Sequence, residues 1–186
     1  MGTFTSDSES TNACVPCEAG KYQDEKGKAK CTSCPSGKWS KKVQATNDFD
    51  CQDCSVGKYS ASKGIDFDCI FCPAGTRGKD GVAGGTNMTV CQACDAGQFR
   101  DGSDVVATSC HDCDTGTKSE NGSAKCTKCD AGEAGIGLNG TCDKCPSGQY
   151  RTSSMESIAC HACPIGFSQS DQGQASCTKC SPGEFN

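Results

Sequence analysis

Twenty cysteines in 186 residues, every one inside a Cys-x-x-Cys pair, are the groups through which this chain could do chemistry. The pairs begin at Cys14, Cys31, Cys51, Cys69, Cys91, Cys110, Cys126, Cys142, Cys160 and Cys177. Two thiols at that spacing can form half of a zinc site, a dithiol redox couple, or two staples to neighbouring loops. The redox reading needs a helix N-terminus to stabilise a thiolate and a βαβ setting around it. Neither pattern is visible, and helical periodicity is absent throughout. The zinc reading is stronger, since one pair following another at 12 to 18 residues fits a four-cysteine site and five such sites would use every cysteine. Against it stand an acidic chain, a repeat that runs on without being grouped in fours, and three N-glycosylation sequons. The sequons are Asn87-Met88-Thr89, Asn121-Gly122-Ser123 and Asn139-Gly140-Thr141, all in polar loops where a glycan fits. Disulfide staples in an oxidising compartment are therefore the reading adopted.

Other candidate groups carry less. His111 and His161 share one place inside their pairs, but that place holds other residue types elsewhere, so both read as tolerated exposed positions. Asn47-Asp48-Phe49-Asp50 and Asp66-Phe67-Asp68 lack the spacing of a calcium loop and read as solvated loop residues. No nucleophile-base set, paired-carboxylate site or phosphate loop stands out, so no enzyme and no cofactor are expected.

The elements that must hold the cysteines follow from composition and phase. Only 34% of residues are hydrophobic with the cysteines counted, and Leu138 is the one leucine. That is too little for a single hydrophobic core in a chain of this length, so such a chain either stays disordered or is held by covalent or metal staples. A net charge of −5 with scattered lysines argues against nucleic acid, and no apolar run reaches the length of a membrane span. The repeat is fixed by glycine. Gly20, Gly37, Gly57, Gly75, Gly97, Gly116, Gly132, Gly148, Gly166 and Gly183 each stand three residues after the second cysteine of a pair. Such a phase implies a tight turn or a close backbone approach. Two residues further on an aromatic recurs at Tyr22, Trp39, Tyr59, Phe99, Tyr150 and Phe185.

Each repeat thus reads as a short irregular β-hairpin. Its aromatic is expected to pack across the hairpin on an apolar residue two before the closing cysteine: Trp39 on Phe49, Tyr59 on Phe67, Tyr150 on Ile158. The expected fold class is small and disulfide-rich: tandem hairpins stacked into an elongated rod, with almost no helix and no single core. Residues 1–186 read as one continuous array of about ten repeats of 16–22 residues. Gly2-Thr3-Phe4 matches the glycine-x-aromatic phase and Ser181-Pro182-Gly183-Glu184-Phe185 opens another unit, so both ends are expected to be cut mid-repeat. The first residues show no signal peptide, which on that reading says nothing of location.

The phrase Cys-Pro-x-Gly-x-aromatic, in Cys34-Pro35-Ser36-Gly37-Lys38-Trp39 and Cys145-Pro146-Ser147-Gly148-Gln149-Tyr150, resembles the cysteine-rich modules of ephrin-receptor-like proteins. It is similar as well to the first loop of tumour-necrosis-factor-receptor cysteine-rich domains, and such arrays occur in large surface proteins of protists and algae. The resemblance implies that the second cysteine of one pair bonds the first of the next. That gives Cys17–Cys31, Cys34–Cys51, Cys54–Cys69, Cys72–Cys91, Cys94–Cys110, Cys113–Cys126, Cys129–Cys142, Cys145–Cys160 and Cys163–Cys177, with Cys14 and Cys180 pairing outside the segment. The spacing itself leaves a competing pattern open, first to first and second to second, as in Cys14–Cys31 with Cys17–Cys34.

The function expected is that of an extracellular or cell-surface structural or adhesive repeat, part of a coat, stalk or filament. N-linked glycans at Asn87, Asn121 and Asn139 are expected, with further copies of the same repeat as partners. A ligand-binding receptor ectodomain is the alternative, gripping a protein or glycan through the 78–90 insertion and the Val105-Val106 loop. A zinc-organised intracellular scaffold comes third.

Overall fold

The structure is a computed structural model and describes residues 2–5, 14–103, 107–135, 140–156 and 158–184. Two-stranded antiparallel ladders recur along it, each short and each in the same place in the repeat. Lys21–Tyr22 pairs with Thr32–Ser33, Lys38–Trp39 with Gln52–Asp53, and Lys58–Tyr59 with Ile70–Phe71. Further along, Gln98–Phe99 pairs with His111–Asp112, Thr117–Lys118 with Thr127–Lys128, and Gln149–Tyr150 with His161–Ala162. The first strand of each is therefore the pair of residues after the phase glycine, and the second is the interior of the next Cys-x-x-Cys. Among the described residues the only helical turns are the 3-10 segments Asp48–Asp50 and Met88–Val90. No described helix is long and apolar enough to cross a membrane.

The hairpin follows from the backbone. The phase glycines take φ near +80°, Gly37 at +80° and Gly57 at +83°, which turns the chain into the first strand. The ladder is then closed by the second cysteine, whose N–H donates to the glycine carbonyl, as in Cys34 to Gly20 (2.9 Å), Cys54 to Gly37 (2.8 Å) and Cys145 to Gly132 (2.8 Å). An isolated two-stranded ladder of this length is unstable in water, so each must be held by something else.

Two compact units divide the chain. One comprises Met1–Pro73, Arg77–Gln92 and Asp104–Ser109; the other comprises Ala74–Thr76, Ala93–Ser103 and Cys110–Asn186. Within each, hairpins are joined to their successors by main-chain bonds. In the first unit the residue after the aromatic donates to a loop carbonyl of the next repeat: Gln23 to Ala45 (3.1 Å), Ser40 to Ile65 (3.2 Å), Ser60 to Gly85 (2.9 Å). The second unit repeats the bond from Gly135 to Ile158 (2.9 Å) and from Arg151 to Gln174 (3.3 Å).

What is buried is mostly sulfur. Cys17, Cys34, Cys54 and Cys145 are fully inaccessible, and the apolar cluster of the first unit is Cys54, Ile65 and Cys69 with Trp39 against it. Of the packing expected within one hairpin, the Trp39–Phe49 pair does not form. Phe49 is 91% exposed and Phe67 58%, while Trp39 lies on Ile65 of the next repeat. Ile158 reaches back to an earlier repeat: a methyl added at Gly116 would lie 2.6 Å from its Cγ2. The reason is that one short hairpin offers too little surface to cover a ring, whereas the loop of the following repeat lies across it.

Candidate functional site

The recurring site is the joint between hairpins: a disulfide, a phase glycine, and the backbone of later repeats. Nine disulfides are formed, Cys17–Cys31, Cys34–Cys51, Cys54–Cys69, Cys72–Cys91, Cys94–Cys110, Cys113–Cys126, Cys129–Cys142, Cys145–Cys160 and Cys163–Cys177. Each joins the second cysteine of one pair to the first of the next, so the first-to-first alternative does not occur. Sulfurs bonded to each other are not zinc ligands, and the described residues contain no cluster of metal-ligating groups. Cys14 and Cys180 are free thiols, the first exposed and the second half-buried.

The joint is tightened from above. The carbonyl of a second cysteine accepts the N–H of a loop residue in the repeat that follows: Cys17 from Gln44 (2.7 Å), Cys34 from Gly64 (2.8 Å), Cys54 from Gly84 (2.8 Å), Cys145 from Gly173 (2.8 Å). The same loop residue then presses on the phase glycine of the repeat before. A methyl added at Gly37 would lie 2.3 Å from the carbonyl oxygen of Gly84, and one at Gly20 equally close to Gly64. Glycine is required there for space as well as for φ. Gln44, at φ +59°, is a non-glycine residue holding the position that Gly64 and Gly84 hold elsewhere.

Two arginines were not singled out by sequence reasoning. Arg100 is fully buried and donates from a terminal guanidinium nitrogen to the Thr76 carbonyl (2.9 Å). Arg151, 4% exposed, donates to the carbonyls of Asp130 (3.3 Å) and Glu133 (3.0 Å). Both follow an aromatic, and both reach a repeat that lacks one, with Arg77 and Ala134 in the aromatic place. That coincidence is the signal by which they could have been found: a long planar donor fills the space an absent ring leaves and satisfies the turn's carbonyls.

Loop carboxylates lock the loops locally. Asp50 accepts from Lys42 Nζ (2.7 Å) and from the Thr46 N–H (2.9 Å), and these hold its pKa below the usual carboxylate value, the Lys42 bond first. Asp68 repeats the arrangement, taking the Cys69 N–H (2.8 Å) and pairing with Lys58. In the second unit Lys118 pairs with Asp130 (2.6 Å) and Glu133 (2.7 Å), which raise its pKa. His111 lies beside the Phe99 ring at 5.9 Å, and His161 is exposed.

Of the sequons, Asn87 is exposed, and its side-chain oxygen accepts from the Thr89 N–H (2.8 Å) and hydroxyl (2.6 Å). Asn121 is exposed on the turn that Ser123 closes by donating to Glu120 (3.2 Å). Asn139 lies outside the described residues, as do Val105, Val106 and Phe185.

Phase-locked hairpins, stapled in series by disulfides and clasped by main-chain bonds, define a cysteine-rich repeat module of extracellular type. Residues 2–51 match the protein family described as tyrosine-protein kinase ephrin type A/B receptor-like, so that stretch carries an ephrin-receptor-like cysteine-rich module. No curated protein matches the chain.

Proposed function

We propose that the chain is part of an extracellular structural or adhesive protein, a surface coat, stalk or filament built from this repeat. One observation carries the reading: in most repeats the cysteine, glycine and post-aromatic positions that recur make scaffold contacts, to the next hairpin or the one after it. Positions that repeat are thus accounted for by holding the array together. The exposed sequon at Asn87, on a loop with room for a glycan, supports secretion. Further copies of the repeat are the partners this reading implies. A receptor ectodomain that grips a protein or glycan ligand is the second reading, favoured by the ephrin-receptor-like match.

The test is intact mass of chain secreted from a eukaryotic cell, before and after reduction and glycosidase treatment. Reduction adds about two mass units per bond, so nine bonds appear as nine such steps, and the glycosidase removes mass at Asn87. Free thiols with bound metal, or a chain with no glycan at any sequon, sink the proposal. A single high-affinity protein ligand recovered from the cell surface transfers the weight to the receptor reading.

A further inference from the structure

Exposed apolar side chains are not spread evenly over the molecule. Of the large ones that face solvent, Val15, Val43, Phe49, Phe67, Ile70, Phe71, Val82 and Met88 belong to the first compact unit, against Ile158 and Ile165 in the second. Phe49 and Phe67 are the largest anomaly. They fall two residues before the closing cysteine of consecutive repeats, in Asp48-Phe49-Asp50-Cys51 and Asp66-Phe67-Asp68-Cys69. Both rings are in water although nothing in the hairpin requires a ring there. Water-facing rings repeated at one phase mark an interaction surface.

The charges beside them are specific. Asp50 and Asp68 are engaged by Lys42 and Lys58, but Asp48 and Asp66 are exposed and make no ion pair among the described residues. Each ring is therefore flanked by one neutralised and one open carboxylate. What complements such a surface is an extended basic segment whose side chains have aliphatic stems to lie on a phenyl ring and ammonium ends to meet a carboxylate. The same unit carries that segment. Lys26-Gly27-Lys28-Ala29-Lys30 is exposed throughout, its lysines alternate, and only Lys28 is paired, with Glu25.

We infer that the Phe49 and Phe67 loops of one molecule dock on the Lys26–Lys30 loop of a second copy of this chain. The two surfaces are different, so the contact is heterologous and each molecule keeps one free surface of each kind; such contacts propagate instead of closing. The inference rests on the extracellular-assembly reading and names the face through which assembly occurs.

Sedimentation velocity of the oxidised full chain tests it, over a concentration series at low and high salt. Association that rises with concentration and weakens on the order of tenfold at high salt is expected. Lys26→Glu/Lys30→Glu and Asp48→Lys/Asp66→Lys are each expected to be monomeric alone and to associate when mixed. Adding Phe49→Ser/Phe67→Ser to both removes the mixed association again. All these side chains are solvent-facing, and a peptide map that recovers the nine native disulfides shows that each variant has folded. A monomer at every concentration overturns the inference, as does association indifferent to the charge swaps or to the loss of both rings. A secreted, oxidised and glycosylated monomer sinks this contact and leaves the extracellular reading standing. A chain retained in the cell with free thiols sinks the reading on which the contact rests.

Discussion

Gly37 and Gly166 stand at the same place in their repeats and share a φ of +80°, yet they meet different surroundings. A methyl at Gly37 would strike the Gly84 carbonyl at 2.3 Å; one at Gly166 would meet nothing within 4 Å. Gly166→Ala therefore carries only the cost of a left-handed alanine, about 1–2 kcal/mol. Gly37→Ala adds a clash with a backbone that cannot swing aside, and about 3–5 kcal/mol is expected. Amide hydrogen exchange of Gly84 and Cys54, whose N–H and carbonyl are bonded at 2.8 Å, reports the difference directly. Equal costs at the two positions would show that close approach contributes nothing. The positive φ was legible in the sequence because glycine never leaves that phase. The close approach was not, because its other half lies two repeats away and is glycine in some repeats and Gln44 or Ala107 in others. Arg100 and Arg151 were illegible for a related reason: a buried arginine that satisfies backbone carbonyls looks in sequence like any solvated one.

The hairpin itself was readable from glycine phase and cysteine spacing, but its second strand was not. The aromatic was expected opposite the residue two before the closing cysteine, and it pairs with the interior of the next Cys-x-x-Cys, as Trp39 does with Gln52. The disulfide partners were not readable either, since spacing allowed two patterns and only the resemblance implied the one found. The bonded cysteines lie 13 to 19 residues apart in sequence. Closing a loop of about 15 residues removes roughly 3 kcal/mol of denatured-state freedom, which is what a two-residue ladder lacks. The expected packing of Trp39 on its apolar partner Phe49 inside one hairpin failed because the adjacent repeat supplies the cover, as Ile65 does for Trp39. Loop shape instead depends on acids such as Asp50. Its folded pKa is lowered, so its stabilisation is complete above the unfolded value of about 3.9 and is lost as pH falls through the lower folded one. On acidification below about pH 4 the Thr46 amide should lose its bond to Asp50 and exchange faster, while Asp50→Asn removes that pH dependence. A Thr46 resonance that does not move between neutral and strongly acidic pH would refute the assignment.

At the scale of the molecule, stability is local and additive along the chain, because hairpins bond to the next repeat and touch the one after. Removing one staple should therefore be felt nearby and not throughout. In Cys34→Ser/Cys51→Ser, exchange protection is expected to fall for amides between Cys17 and Cys72 and to persist for those beyond Cys110. Uniform loss across the whole chain would instead reveal one cooperative core. The clasp that makes this so is read from amides and carbonyls, hardly at all from side chains. A crossover between any two second cysteines therefore regenerates the disulfide and its main-chain bonds on both sides. Such a chain can gain or lose whole repeats by recombination, and its water-facing residues can diversify, without the scaffold having to be invented again.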